Sequence, residues 1–555
     1  MVNVLFVAIY YKFARKLQVF SKTLYLYKLF TEMKSRSTKI ALLAAVFVTL
    51  GMLVGYKMQN PKQTKHIKGL NKLQEVFNFV RYYYVDPVDE ETVLDNAVVG
   101  MLKPLDPYSI YIPAKELQSK QEDLQGSFDG IGVEFNIIED TVFVVTPIVG
   151  GPSEELGIKS GDRIIKVDDK DFAGIGIKNE MVFKALRGPR GSKVKVTIKR
   201  RGVKEPLEFN ITRAKIPLNS VEVSYMLNEQ TGYMHITRFS ADTHQEMVSA
   251  IKKLQQNNCQ NLVIDLRSNP GGYLGQAVDM IDEFIDANKL IVYTKGRTDG
   301  KKEYRASSGG LFENKPIVVL VDEGSASASE IFSGAVQDLD RGIIVGRRTH
   351  GKGLVQSEKM LSDGSAMRLT VARYYTPSGR CIQTPYKGSE RLKEKIDFSK
   401  PDKIPDSLKY KTTKGRTVFG GGGILPDYYV EPDTAWFSLY AQEMYLSGVF
   451  TDFSIQYTEK HPELKTKYTD VKMYDKKFDV TKEMLDELVS MAIKANVKQN
   501  SDGLKKAQQR FKETIKELIA YRLFGREGRA YVAAQHDEII QKALEVMPKA
   551  KQMVN

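Results

Sequence analysis

Three serines alternate with small residues in Gly324-Ser-Ala-Ser-Ala-Ser-Glu330, and a lysine stands between two glycines in Gly351-Lys352-Gly353. These residue types can do acyl transfer. A serine hydroxyl attacks a carbonyl well only when a base takes its proton. A lysine amine serves as that base if burial lowers its pKa. Small residues ahead of a helix let a substrate backbone come close, and the helix N-terminus offers unpaired N–H groups to developing negative charge. Each stretch also has a plain structural reading. Ser/Ala repeats cap helices and fill tight turns, and a lysine between glycines is usually a turn residue. Lys352 lies 25 residues after Ser327, and together they form a candidate dyad. Histidine is the alternative base. The chain has six, none in a G-x-S-x-G context, and only His350 is close to the serine loop in motif terms.

The elements around these residues fit that role. The apolar run Pro316–Val321 leads into the serine loop, and Ile331, Phe332, Ala335 and Val336 follow at helical spacing. Residues 220–430 alternate strand and helix patterns. Strands are expected at Tyr233–Ile236, Leu262–Leu266, Leu290–Tyr293, Ile317–Val321, Ile343–Val345 and Met367–Tyr374. Helices are expected at His244–Gln256, Leu274–Phe284 and Ala326–Leu339. That alternation predicts a layered α/β core. Residues 125–215 hold short strands, turn signals and two short helices, which predict a small barrel-like β domain. Residues 66–118 read as helical, with Asp89 able to cap a second helix running to Met101 and a turn at Leu105–Ser109. Residues 435–555 are expected to form a helical domain, its apolar stripes serving as core or interface.

A chain of 555 residues predicts three or four domains, and 42% hydrophobic with 27% charged residues is a globular composition. Two cysteines cannot build a disulfide framework, and their spacing matches no zinc motif. The formal charge of +14 comes without zinc fingers or aromatic-interleaved basic motifs. A solvated surface or an anionic membrane explains it better than nucleic acid does. Ile40–Tyr56 is seventeen residues without a charge, preceded by Lys34, Arg36 and Lys39. This predicts a single-pass anchor, with residues 1–39 a basic cytoplasmic N-terminus and the chain from about residue 60 on the far side. A cleaved signal peptide is the alternative, but no A-x-A site follows. Met33-Lys-Ser-Arg-Ser-Thr-Lys39 would be a more usual start, so residues 1–32 are taken, as a hypothesis, for a mis-called one.

Several motifs, in this order and spacing, resemble the C-terminal processing peptidases, or tail-specific proteases. They are L-D-P-Y-S at 105–109, D-L-R-x-N-P-G-G at 265–272, S-A-S-A-S-E-I at 325–331, G-x-R-T-x-G-K-G at 346–353, P-S-G-R at 377–380 and G-G-G-G-I-L-P-D at 420–427. The resemblance covers most of residues 66–430. It implies a crotonase/ClpP-like layered α/β protease core with an inserted PDZ domain, and a serine endopeptidase of the Ser/Lys type. It assigns the nucleophile to Ser327, the base to Lys352 and the residue orienting that base to Gln356. It places the oxyanion hole at the N–H groups of Ala328 and of Gly271 or Gly272. Asn269-Pro-Gly-Gly272 taken alone would be a strand-exit turn. Gly130-Ile131-Gly132-Val133 matches the carboxylate-binding loop of a PDZ domain, which adds a bound peptide tail as a strand. Arg187 is a candidate gating contact between this domain and the core. Asp338 matches an acidic position of some relatives, with an ordinary surface carboxylate as the alternative. His350 stands where the family often has an aromatic residue, so a histidine contribution stays open.

The resemblance further implies no metal or organic cofactor, substrates with unstructured C-terminal tails, and action on the extracytoplasmic side of a bacterial cytoplasmic membrane. By analogy, the terminal helices suggest a homodimer. An adaptor or activator protein as partner stays open, as does the rival reading of a non-catalytic PDZ-bearing binding protein.

Overall fold

A computed structural model describes residues 69–148, 150–387, 390–391 and 404–554, together with Ser35, Ser37, Ile40 and Ala44. The expected anchor at 40–56, apart from Ile40 and Ala44, and the segment 1–32 lie outside the described residues. Among the described residues, no helix is long and apolar enough to cross a membrane. The chain divides into two compact units, residues 1–94 and 95–555.

In the first unit the helix Leu70–Tyr83 presents Val76, Phe79 and Tyr83 as an exposed apolar stripe. Asp89 accepts hydrogen bonds from Thr92 Oγ1 at 2.7 Å and Glu91 N at 3.2 Å, as expected of a cap ahead of the helix Glu90–Leu102.

The second unit is built on a six-stranded sheet. Its order is Val221–Met226, Thr231–Ile236, Asn261–Asp265, Ile317–Val321, Ile343–Gly346 and Tyr428–Tyr429. The first pair is antiparallel and the rest are parallel. Runs such as Ile317-Val-Val-Leu-Val321 are apolar throughout because both faces are covered. Ile264, Val319 and Ile344 pack against the helices Thr243–Gln256, Leu274–Asp282 and Ala328–Asp338. Val263, Val318, Leu320 and Val345 pack against the final helix Glu538–Val554.

The strands expected at Leu290–Tyr293 and Met367–Tyr374 are present as Leu290–Gly296 and Ala366–Tyr375, in a second, antiparallel sheet with Gly300–Arg305 and Leu354–Met360. That sheet also recruits Ile110–Ile112, so the stretch 66–118 is not wholly helical. Ile-Tyr-Ile is β-prone and finds an open edge on Ala366–Tyr375.

The barrel-like unit is an antiparallel sheet ordered Val133–Ile138, Thr141–Pro147, Arg163–Val167, Lys193–Lys199 and Leu207–Thr212, with the helix Asn179–Leu186 beside it. In the chain it is inserted between the helix Ala114–Gln125 and the protease core, and Ser127–Gly130 pairs with Ala214–Pro217 where the chain enters and leaves it. The C-terminal helices Leu439–Leu446, Val449–Lys460, Lys482–Lys494 and Ser501–Ala534 share a separate core that includes Phe450, Phe453, Phe511 and Ile515.

Candidate active site

The strand Ile317–Val321 ends at Asp322, whose carboxylate accepts from the N–H of Ser268, Gly324 and Ser325 and so ties the serine loop to the neighbouring loop. The three serines then separate by environment. Ser325 Oγ donates to Leu266 O at 2.7 Å, and Ser329 Oγ donates to Asn269 O at 2.9 Å. Both are fully buried. Ser327 is only partly buried and lines a cavity of about 550 Å³. It caps the helix Ala328–Asp338 with φ 54° and ψ −112°. An L-residue held there costs about 1–3 kcal/mol, so its surroundings must fix it.

Glu330 supplies that fixing. It is fully buried, and its carboxylate accepts from Ser327 N at 2.9 Å, Lys352 N at 2.8 Å, Gly351 N at 2.7 Å and Thr349 Oγ1 at 2.5 Å. Burial pushes its pKa up, and the four hydrogen bonds oppose that rise. One carboxylate thus holds both the serine loop and the lysine loop. The signal for it was in the sequence: Ser327-Ala-Ser-Glu330 has the spacing of a capping box. An amide at this position would turn donors toward donors. With about 1–3 kcal/mol for a buried group left unsatisfied, Glu330→Gln is expected to lower kcat by about 10- to 100-fold. Steady-state kinetics beside a melting curve checks this.

Lys352 lines the same cavity. Its Nζ donates to Gln356 Oε1 at 2.8 Å and lies 4.9 Å from the centre of the Tyr108 ring. Gln356 Nε2 in turn donates to Tyr108 O. Asp106 shapes that turn by accepting from Tyr108 N, Ser109 N and Ser109 Oγ, which gives the Leu105–Ser109 motif a physical role. Burial lowers the pKa of the Lys352 amine below its ordinary 10.5 and the Arg368 guanidinium lowers it further, against opposing pulls from Glu330 and Asp106. No hydrogen bond joins Ser327 Oγ to Lys352 Nζ among the described residues. Tyr374, unanticipated from sequence, donates to Lys352 O at 2.8 Å and lies 3.1 Å from Ser327 O, bridging the two loops. His350 does not line the cavity; its Nε2 lies 3.4 Å from Tyr108 Oη.

The glycine turn sits against the serine. A Cβ on Gly271 would fall 2.8 Å from both Ser327 Cβ and Ala328 N, and its φ is 94°. Its own N–H is already committed, donating to Asn269 Oδ1 at 2.9 Å. The N–H groups of Ala328 and Gly272 have no acceptor among the described residues. Of the expected oxyanion donors, these two are therefore available, while Gly271 contributes close approach.

Asp338 is not a surface carboxylate. It is buried, pairs with Arg380 at 2.7 Å and accepts from Ser378 N at 3.0 Å. Its helix is buried at every position from Ala328 to Asp338, so no polar face marked it as exposed or hidden.

In the barrel-like unit, Ile131, Gly132 and Val133 line a small apolar pocket with Phe128, Phe135 and Phe183. Gly130 belongs instead to the strand Ser127–Gly130 and pairs with Ala214. Among the described residues the strand Val133–Ile138 is the edge of its sheet, the position at which a further strand can pair. Arg187 stacks over Phe128 and Phe183 at 4.3 and 4.7 Å and pairs with Glu122 at 2.9 Å. Glu122 belongs to the helix Ala114–Gln125, whose Gln121, Leu124 and Gln125 line the Ser327 cavity.

Comparison with known proteins agrees with this layout. Residues 230–388 match peptidase family S41, 130–211 a PDZ domain, 52–116 the N-terminal domain of the activating protease CtpB, and 440–525 a family of unknown function. The chain is 37% identical over 350 residues to a carboxy-terminal-processing protease of Bartonella bacilliformis, covering 62% of this chain and 80% of that protein. It is 35% identical over 347 residues to carboxy-terminal processing protease CtpA of Bacillus subtilis, covering 62% and 72%. Among solved structures, a photosystem II D1 C-terminal processing protease aligns over 66% of this chain and 88% of that one, at 27% identity and a TM-score of 0.34. The chain belongs to the carboxy-terminal processing proteases of peptidase family S41, serine-type peptidases, and carries a PDZ domain.

Proposed function

We propose that this protease works through Ser327 and Lys352, on protein tails outside the cytoplasmic membrane. The observation that carries the reading is that Ser327, Ala328, Gly272 and Lys352 all line one cavity. Neutral Lys352 takes the Ser327 proton as Oγ attacks the scissile carbonyl. Gln356 holds Nζ in place through its Oε1, and the N–H groups of Ala328 and Gly272 receive the oxyanion. Lys352 then protonates the leaving amine and activates the water that releases the acyl group. A non-catalytic adaptor would need neither a half-buried amine nor the Lys352–Gln356 contact.

The tail enters the PDZ groove with its carboxylate at the N–H groups of Ile131 and Gly132 and its last side chain in the apolar pocket. The charge pattern at residues 34–56 supports an anchored, extracytoplasmic enzyme of a bacterium. The exposed stripe on Leu70–Tyr83 supports a homodimer. The test compares a tailed substrate with a free or an amidated C-terminus. Losing hydrogen bonds to a charged group should lower kcat/KM by about 10- to 100-fold on amidation. Equal cleavage of both would overturn tail recognition.

A further inference from the structure

The C-terminal helices, part of which match a family of unknown function, meet the PDZ domain on the face away from its peptide pocket. The strand Thr141–Pro147 is apolar at four successive positions, Val142 to Val145, which is unusual for an antiparallel sheet with one wet face. Val142 and Val144 point into the PDZ core. Phe143 and Val145 point the other way, yet they are buried. They pack with Ile455 of the helix Val449–Lys460, beside Tyr521 of the helix Ser501–Ala534.

Polar contacts close the same face. Glu134 of the edge strand accepts from Tyr521 Oη at 3.1 Å and from Arg526 Nη2 at 2.8 Å. Arg526 also reaches Glu222 on the first strand of the protease core at 3.7 Å. Arg522 lies over Phe143 and donates to Ser160 Oγ at 3.4 Å, and Arg201 pairs with Glu459 at 2.9 Å. The long helix breaks between Arg522 and Arg526 at Gly525, whose φ of 71° suits glycine, with open space where a Cβ would stand. The clasping helices are themselves fixed to the core. The final helix covers the sheet face of Val318 and Leu320, Asp537 pairs with Arg267 at 2.7 Å, and Tyr225 Oη donates to Ala530 O at 2.9 Å.

We propose that the C-terminal helical domain is a clasp that holds the PDZ domain at one fixed position relative to Ser327. A bound tail is then measured out from a fixed point, and the enzyme cuts at a set distance from the C-terminus. The clasp stands on the contacts above; the ruler rests on the proposed peptidase mechanism. The peptide pocket carries no residue of the clasp, so tail binding and clasping are compatible.

The test uses the full chain with Ile455→Asp and Glu134→Ala combined. A milder variant, Glu134→Gln with Tyr521→Phe, removes only polar contacts and serves if the first does not fold. Spin labels at Lys170→Cys in the PDZ domain and Lys252→Cys in the core, in a Cys381→Ser background, report their separation by pulsed electron resonance. Wild-type protein should give one narrow distance distribution, and the variants a broader one. Mass spectrometry of a free-tailed peptide should show one dominant cut for wild type and cuts spread over several neighbouring bonds for the variants. Turnover of a small tailless ester should stay within about twofold. A narrow distribution and a single cut site in a folded variant would overturn the clasp, as would a broad distribution in wild type. Absence of any cleavage by wild type would instead strike the peptidase reading, and the distance measurement would still decide the clasp.

Discussion

Replacing Ser327 with alanine removes cleavage of a tailed substrate by about 10⁴- to 10⁶-fold while leaving the fold in place. The size follows from the loss of the attacking atom, since the remaining oxyanion donors can stabilise only an attack by water. The fold survives because Ser327 is only partly buried and its backbone N–H stays held by the Glu330 carboxylate. Its neighbours behave differently. Ser325 and Ser329 are fully buried and donate to the carbonyls of Leu266 and Asn269. Their alanine variants are expected to lose about 0.5–1.5 kcal/mol of stability for each hydrogen bond removed, before they lose chemistry, since Leu266 O still accepts from Asn269 N and Asn269 O from Ala326 N. His350→Ala keeps cleavage, since its ring lies outside the cavity. Steady-state kinetics with thermal melts on the four variants separates these effects. Full activity in Ser327→Ala, or its loss in His350→Ala alone, contradicts the assignment.

Lys352→Ala is the second large effect, a comparable loss of kcat, and it carries a pH signature. The folded protein holds this amine below its ordinary 10.5 through burial and the nearby Arg368. Only the neutral amine accepts the serine proton. Activity therefore rises as pH increases through the lowered value. Gln356→Glu places a carboxylate where an amide oxygen now lies 2.8 Å from Nζ. An opposite charge at that distance favours the ammonium and moves the rise upward by about 1–3 pH units. The same shift acts on stability. Below the lowered pKa the fold carries the cost of a buried charge. That cost fades as pH rises through this value and is gone above 10.5. Lys352→Met should then raise Tm more at pH 6 than at pH 10. A profile flat from pH 6 to 10, with chemistry rate-limiting, would contradict the lysine base.

The pattern of the chain carried much of this. Parallel strands such as Ile317–Val321 were legible because burial on both faces leaves an unbroken apolar run. Local residue chemistry marked Ser327 and Lys352 as a candidate dyad, the resemblance of their motifs added Gln356, and one cavity brings the three together. Partnerships made across the fold were not legible. That Gly271 N–H is spent on Asn269 Oδ1 depends on one rotamer, which spacing does not encode. Asp338 was hidden because its whole helix is buried and shows no polar face. Glu330 stands at capping-box spacing from Ser327, but its reach to Lys352 N, 22 residues on, needed the lysine loop folded back beside it. The second buried face at Phe143 and Val145 was visible as an apolar run, and its cause lay some 300 residues away in Ile455.

The most direct measurement of the central claim is the site of acylation. The enzyme is mixed with a slowly deacylating active ester, quenched within one turnover and mapped by peptide mass spectrometry. A single adduct on Ser327 is predicted in wild type, its rate of formation rising with pH, with none in Lys352→Ala on the same timescale. An adduct on Ser325 or Ser329, or turnover of the ester with Ser327 unmodified throughout, would contradict it.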